Sequence, residues 1–426
     1  MTSRRTYISV VAALSLALLP RLPLQAQTDS GFAVWAKTRA IPIDSSADAR
    51  RALDAVAASS RLIGIGESVH AMRPFMALRV ELLKELVRRH RATVLILESG
   101  LPESIALDDF VRGRTDSVDF AAQLGPDYSG SDVVREAMTW LREWNLGAGK
   151  AHPVDVYGAD MSIGDGRSML PALDRLQSVA GAERHVAGIL DSLRPIASRL
   201  AAPWYNGAVR NYGALPSDEK VRLTALVARL VGATRAWRGG SPDRRAFAER
   251  FARIVQQDEV MLREGPLSPE NPRDAAMAEN TSWIVARLPR GERAILWAHN
   301  AHVQRALIRG PALPPGGFPS MGYRLGKTMG NTYVAIGTAY GGPSIDSARA
   351  PRAESVDAAL GAVSGSSFLI SLRDAPSEGA LGAWMHADRP MRFQVGHLML
   401  PLADAFDAII YVDRVSPDQP RSGSSR

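Results

Sequence analysis

The stretch LIGIGESVHAMRPFMALRVELLKELVRRHRATVLILESG, residues 62–100, predicts the fold around which the rest of the chain is arranged. Its apolar runs at 62–66 and 92–98 have the length and composition of strands that are buried on both faces. The segment between them carries apolar residues at spacings of three and four, a pattern typical of an amphipathic helix. A strand, a helix and a strand in this order form a right-handed parallel crossover.

Apolar runs later in the chain predict the remaining strands of the same sheet. They lie at 153–158, 293–298, 332–338, 366–372 and 407–412, and segments with helical patterns separate most of them. Residues 165–290 are rich in Ala, Arg and Leu, and they predict a large helical insertion between the third and fourth strands. The sequence therefore predicts an α/β fold in which helices flank a mainly parallel central sheet.

Residues 1–26 have the features of a secretory signal peptide. Arg4 and Arg5 precede a mainly apolar run at 7–19, and Ala26 stands at the expected cleavage position. The run is shorter than the roughly 20 residues of a membrane-spanning helix, which favours cleavage over a stable membrane anchor. We therefore expect an exported protein, periplasmic or secreted, whose mature domain covers residues 27–420.

The composition restricts the classes of partner and the source of stability. The formal net charge is +7, and removal of the three arginines in the signal peptide lowers it to +7 − 3 = +4. The basic residues are scattered and do not cluster with aromatic residues, so the sequence does not favour nucleic-acid binding. The chain has no cysteine, and its stability must therefore come from the core rather than from disulfides.

Ionisable residues follow or end four of the predicted strands. They are Glu67 and His70 after the first strand, Glu98 at the end of the second, Asp160 after the third, and His299 and His302 after the fourth. The carboxyl ends of parallel strands meet at one edge of an open sheet, where such folds bind their ligands. Glu67 precedes His70 by three residues and is able to orient its imidazole as a base, and Arg79 stands nine residues further on.

Several kinds of protein compete as explanations of this cluster. A serine nucleophile of the usual kind is excluded because G-x-S-x-G does not occur in the sequence. A dinucleotide site at residues 64–66 is disfavoured because the third glycine of the fingerprint is missing. A metal-dependent hydrolase stays open, since the carboxylates and histidines of the cluster are all able to bind zinc or manganese. A non-enzymatic periplasmic protein that binds a small molecule in the same cleft is a further alternative.

Taken together, these motifs resemble those of the erythromycin esterase family. The resemblance rests on GESVH at 66–70 with Arg79, ESG at 98–100, YGADM at 157–161, RDAAMAEN at 273–280, WAHNAHV at 297–303, MGYRLG at 321–326 and FDAIIYVD at 406–413. It implies a hydrolase that opens macrolide lactones or related esters and is built on an α/β core with helical insertions. In such a hydrolase a histidine activates water without a covalent intermediate. Many members of the family have Gly and Glu where this chain has Ala71 and Pro74.

The resemblance also implies roles for individual residues. His70 is implied as the general base, Glu67 as its acidic partner, Glu98 as a second glutamate, and Arg79, His299 and His302 as the other catalytic residues. We further predict that Asn300, Asp160 and Tyr323 contact the substrate, a small-molecule ester or macrolide. We expect no cofactor and water activation without a metal, although the sequence does not exclude a metal. In this prediction Arg79 and the two later histidines position the substrate carbonyl and stabilise its developing charge, and Glu98 anchors one of these cations.

Overall fold

The computed structural model describes residues 24–43, 46–58, 60–162, 168–203, 205–310, 313–342, 351–394 and 396–418. Most of the predicted signal peptide, residues 1–23, lies outside the described residues. Export and the position of the cleavage site therefore stay predictions. A helix begins at Leu24, next to the predicted cleavage position.

The strands of the described residues form one large sheet and two small ones. They are β1 Ile41–Pro42, β2 Leu62–Glu67, β3 Ala92–Gly100, β4 Asp155–Asp160, β5 Arg293–His299, β6 Leu307–Ile308, β7 Phe318–Pro319, β8 Tyr333–Tyr340, β9 Phe368–Ser371, β10 Asp388–Phe393, β11 Gly396–Pro401 and β12 Ala408–Val412.

The helices occupy most of the remaining described residues. They are α1 Leu24–Lys37, α2 Ser46–Ala57, α3 Arg73–His90, α4 Leu101–Val111, α5 Phe120–Gln123, α6 Pro126–Ser129, α7 Asp132–Leu146, α8 Leu170–Ala180, α9 Arg184–Leu200, α10 Tyr205–Gly213, α11 Ser217–Ala236, α12 Pro242–Glu264, α13 Pro272–Ala286, α14 Asn300–Val303, α15 Met321–Met329, α16 Val356–Gly361, α17 Gly379–Met385 and α18 Leu402–Ala405.

The large sheet has the strand order β1-β9-β12-β8-β2-β5-β3-β4. Its six strands from β12 to β4 run parallel to one another, whereas β9 runs antiparallel to β12 and β1 antiparallel to β9. The chain leaves the central β2 for β3, and it later places β5 and β8 on the two sides of β2. This reversal of direction makes the carboxyl ends of the central strands the expected place for a ligand site.

The predicted mainly parallel α/β fold is confirmed, and all seven predicted strands lie in this sheet. Strand β3 continues beyond the predicted end to Gly100, so Glu98 lies within the strand rather than at its end. The hairpins β6–β7 and β10–β11 were not predicted. Strands of two residues leave no periodic pattern, and β10 mixes charged residues with a proline, which is common only at sheet edges.

Buried side chains on the two faces of the sheet belong to two separate parts of the core. Ile63 and Leu95 pack on one face with apolar residues of α2, α3 and α7. Leu62 and Ile96, the neighbouring positions in the same strands, pack on the other face with helices of the insertion. This alternation explains why the strands have no polar face, since both faces of a parallel sheet are covered by helices.

The described part of the insertion consists of helices α8 to α13. Helix α13 returns the chain to the sheet, and its first turn lies against the carboxyl ends of β3 and β4, where Arg273 contacts Glu98 and Asp160. Among the described residues, we find no helix with the length and apolar character that crossing a membrane requires.

Candidate active site

Four neighbouring strands each bring an ionisable residue to the same edge of the sheet. Glu67 ends β2, His299 ends β5 beside it, Glu98 lies near the end of β3, and Asp160 ends β4. Glu67 and His299 are register partners across the β2–β5 pair. All four side chains are buried, although charged groups are rarely buried without partners. Their partners define the site.

Glu67 and His70 form the pair that the sequence predicted to lie close together. The imidazole Nδ1 of His70 lies 2.8 Å from Oε1 of Glu67, and the His70 side chain is 13% exposed while Glu67 is fully buried. A carboxylate accepts hydrogen bonds, so Nδ1–H of His70 is the donor and the opposite nitrogen, Nε2, carries the basic lone pair. This arrangement suits a general base, because the carboxylate fixes the ring and stabilises its protonated form.

The structure changes the expected role of Arg79. Its guanidinium is only 1% exposed and lies 3.2 Å from Oε1 of Glu67. It also donates hydrogen bonds to the carbonyl oxygens of Ile65 at 2.9 Å and Ala298 at 2.5 Å. Arg79 thus lies beneath the site and ties Glu67 to the ends of β2 and β5, and its predicted contact with the substrate carbonyl stays a prediction. The helix position of Arg79 was visible in the sequence, but the face it occupies was not.

His299 is held as a neutral imidazole by the backbone. Its Nε2 lies 3.0 Å from the carbonyl oxygen of Ser68 and must donate to it, and its Nδ1 accepts from the amide of Ala301 at 3.2 Å. Burial, together with the nearby His70, lowers the pKa of His299 well below its ordinary value. With both nitrogens engaged, His299 holds the loop that carries His70, and its predicted role at the substrate carbonyl stays a prediction.

His302 is the opposite case, a protonated imidazole between two carboxylates. Its Nδ1 lies 2.8 Å from Oδ1 of Asp274 and its Nε2 lies 3.1 Å from Oε1 of Glu98. Burial disfavours the charged form, but Asp274 and Glu98 outweigh burial and raise the pKa of His302 to about 10. Burial likewise disfavours the Glu98 carboxylate, yet His302 and Arg273 hold the pKa of Glu98 well below its ordinary value. Oε2 of Glu98 also accepts from the amide of His299 at 2.7 Å.

Arg273 completes this charged network from the start of α13. Its Nη2 lies 3.1 Å from Glu98 and 2.8 Å from Asp160, and its Nε donates to Asp160 at 2.8 Å. Burial opposes its charge, but the carboxylates, Asp160 first, raise the pKa of Arg273 above its ordinary value. Burial raises the pKa of Asp160, although Arg273 opposes this effect. Asp160 therefore anchors a cation in this structure, whereas the sequence predicted that it contacts substrate.

Arg273 and Asp274 were part of a motif in the sequence but received no predicted role. The Asn-Pro that precedes them is a helix-start signal, and the side chain of Asn271 caps α13 by accepting from the amide of Asp274 at 3.3 Å. That signal places both residues in a first helical turn. It does not show that this turn lies against Glu98 and His302, because the contact joins segments far apart in the chain.

The structure does not bring Asn300 and Tyr323 to an exposed face of this cluster. Asn300 is fully buried, donates to the carbonyl oxygen of Thr338 at 2.7 Å and accepts from its amide at 3.1 Å. Tyr323 lines a separate depression of about 380 Å³ together with Arg305. Their predicted contact with substrate stays a prediction.

The described residues offer no ready-made metal site. Among them, no group of three or more His, Asp or Glu side chains is arranged to hold a metal ion. The ring nitrogens of His299 and His302 already have hydrogen-bond partners. Binding a metal through either histidine would require these bonds to break.

Comparisons with known proteins identify the family. The sequence model of the erythromycin esterase family matches residues 87–415, well over half of the chain. Erythromycin esterase type II of Escherichia coli is 22% identical, over 90% of this chain and 98% of that protein. The putative hydrolase YbfO of Bacillus subtilis (strain 168) is also 22% identical, over 98% of both chains. A mutant of the erythromycin esterase EreC in its open conformation has a similar fold, with a TM-score of 0.71, 19% identity, and coverage of 86% of this chain and 93% of that one. This chain belongs to the erythromycin esterase family.

Proposed function

We propose that this protein is an exported hydrolase that cleaves a macrolide lactone or a related carboxylic ester with water activated by His70. Family membership supports a hydrolase of the erythromycin esterase type that acts on a small molecule. The observation that carries the mechanism is the 2.8 Å hydrogen bond between His70 and the buried Glu67 at the carboxyl edge of the sheet. A histidine held by a carboxylate in this way is suited to take a proton from water.

The reaction proceeds in two steps. First, Nε2 of His70 accepts a proton from water while the water oxygen bonds to the ester carbonyl carbon, and the carbonyl oxygen becomes an oxyanion. Glu67 stabilises the imidazolium that forms, because it accepts the hydrogen bond from Nδ1–H. Second, the carbonyl re-forms, the bond from carbon to the alcohol oxygen breaks, and His70 returns its proton to the leaving oxygen. The products are a carboxylic acid and an alcohol, and His70 is restored.

The oxyanion needs nearby positive charge, and the structure favours His302 and Arg273 as its source. The side chains of these two cations are 13% and 23% exposed, whereas that of Arg79 is 1% exposed. Preorganised cations in a site that excludes water stabilise a developing negative charge more strongly than water does. We therefore assign to Arg273 the role that the sequence suggested for Arg79, and we keep His302 in its predicted role.

The test is hydrolysis of a panel of macrolides and simple esters by the purified protein, with and without a chelator. We expect His70→Ala to lower turnover of the best substrate by at least about 100-fold, the usual range for a general base, while the substrate still binds. His386→Ala is the matched control. His386 also forms a 2.8 Å hydrogen bond to an aspartate, Asp404, but it is 36% exposed and is not part of the cluster, so its loss should leave activity unchanged.

Three results would contradict the proposal in different ways. Binding of ligands without cleavage of any ester would favour a periplasmic binding protein. Loss of activity on chelation, with recovery on addition of zinc or manganese, would favour the metal-dependent alternative. Equal loss of turnover in the His70 and His386 variants would show that the cluster is not the catalytic site.

The proposed export rests on the signal-like residues 1–26. Mass spectrometry of the protein isolated from its native host tests it. We expect a mature chain that begins near Gln27 in the periplasm or the medium. An intact N-terminus on soluble cytoplasmic protein would contradict export without affecting the proposed chemistry.

A further inference from the structure

The hairpin β10–β11 lies outside the large sheet, but its turn reaches the candidate active site. Phe393, the last residue of β10, is 3% exposed, and its ring centroid lies 5.2 Å from that of His299. The His299 ring lies in turn 4.8 Å from the ring of His70. Gln394 follows Phe393, and its side-chain Oε1 accepts a hydrogen bond of 2.7 Å from the backbone amide of His70. The turn therefore contacts both histidines of the β2 and β5 ends.

A buried ion pair fastens the end of β10 to helix α16. Arg392 and Asp357 have side chains that are 1% and 0% exposed, and Nε of Arg392 lies 3.1 Å from Oδ1 of Asp357. The amide of Arg392 donates to Oδ2 of the same carboxylate at 2.8 Å. The guanidinium also donates to the carbonyl oxygen of Tyr340, at the carboxyl end of β8, and lies 3.7 Å from the centroid of the Tyr340 ring. Gln394 thus lies two residues after an arginine whose side chain is fastened to α16 and to the carboxyl end of β8.

His70 needs such a support because it lies in irregular backbone between β2 and α3. No strand or helix fixes the backbone there, and the next residue, Ala71, has a φ of 55°, in the left-handed region. The direction of the imidazole depends on the position of its own backbone as well as on Glu67. Gln394 fixes the backbone amide, and Glu67 fixes Nδ1, so each contact restricts where Nε2 points.

We propose that Gln394 is a positioning residue of the hydrolytic reaction, which holds the backbone of His70 so that its Nε2 stays aligned with the attacking water. The proposal rests on the proposed function and extends it, since Gln394 lies 324 residues from His70 in the chain and belongs to none of the recognised motifs. A displacement of a catalytic group by about 1 Å is enough to slow a reaction strongly, which makes such a support matter for turnover.

Gln394→Met and Gln394→Glu form the test pair. Methionine has a similar length but offers no comparable acceptor, whereas glutamate keeps an acceptor oxygen at the same position. In Gln394→Met we expect the His70 amide to exchange its hydrogen at least about tenfold faster and kcat to fall about tenfold, the effect of one lost hydrogen bond, with KM within about twofold of wild type. Gln394→Glu should keep the amide protected and recover most of kcat.

Asp388→Asn is the control, because Asp388 lies at the other end of the same hairpin, half exposed and paired with Arg309 at 3.2 Å. It should change neither amide exchange at His70 nor kcat. Unchanged protection of the His70 amide in Gln394→Met would overturn the proposal, and so would an equal loss of kcat in both Gln394 variants. The exchange measurement does not depend on turnover. If the wild type cleaved no ester, the proposed function would fail, and the role of Gln394 in that reaction would fail with it.

Discussion

Asp274→Asn tests the charge state of His302, on which the proposed stabilisation of the oxyanion depends. The substitution removes one of the two carboxylates that flank the imidazole at 2.8 Å and 3.1 Å. It keeps an amide oxygen that is able to accept from His302 and from the amide of Met321, which lies 2.7 Å from Oδ1 of Asp274. The hydrogen bonds are thus preserved as far as possible, and the negative charge is lost.

The size of the effect follows from the pKa of His302. The folded protein raises this pKa from 6.5 to about 10, and each pH unit corresponds to about 1.4 kcal/mol. The two carboxylates produce this rise against the opposing effect of burial, so removing one should remove at least half of it and cost at least about 2 kcal/mol. A raised pKa of a histidine stabilises the fold fully below pH 6.5, and this stabilisation is lost as pH rises through the folded pKa. The cost of the substitution should therefore be largest near neutral pH, shrink as pH approaches 10 and disappear above it.

Urea unfolding of wild type and variant at pH 7 and pH 9.5 measures this difference, provided that the m-values agree. The control is Asp404→Asn, which removes the partner of the more exposed His386 at 2.8 Å. We expect the control to cost less than about 1 kcal/mol at either pH, as is usual for exposed ion pairs. A cost of Asp274→Asn that is equal at pH 7 and pH 9.5, or no larger than that of the control, would refute the assignment of a protonated His302.

Two further predictions concern stability. Asn300→Ala should lower the free energy of unfolding by about 2–3 kcal/mol, because it leaves the buried backbone groups of Thr338 without their hydrogen-bond partners. The control is the same change at the exposed Asn331, which should cost less than about 0.5 kcal/mol. Equal costs of the two substitutions in urea unfolding would contradict the prediction. Ala71→Gly should be neutral or raise the free energy of unfolding by up to about 1 kcal/mol. Glycine adopts the φ of 55° without the left-handed penalty, but it loses more entropy on folding. A loss of stability above about 1 kcal/mol in thermal unfolding would contradict the prediction.

The departure from the family pattern at Ala71 has a physical explanation in this conformation. Many family members have glycine at this position, and glycine adopts a left-handed backbone without the steric cost that other residues have there. Alanine is tolerated here because the loop is held on both sides. The amide of Asp418 donates to the carbonyl oxygen of Ala71 at 2.8 Å, and Gln394 accepts from the amide of His70.

The sequence by itself determined the parallel sheet and the edge at which polar residues gather. Buried parallel strands are continuous apolar runs, and this signal is local, so β2, β3, β5 and β8 were predicted within a few residues of their ends. The His70 and Glu67 pair was equally visible, because its members are only three positions apart in the chain.

Only the tertiary structure decided which charges face which partners. Whether Arg79 lies beneath the site or contacts substrate depends on the rotation of α3 against β2, and local periodicity does not report that rotation. The protonation states of His299 and His302 differ, although the two stand three residues apart, because one meets backbone groups and the other meets Asp274 and Glu98. Such differences arise from contacts between segments distant in the chain, and a single sequence carries no record of which distant segments will meet.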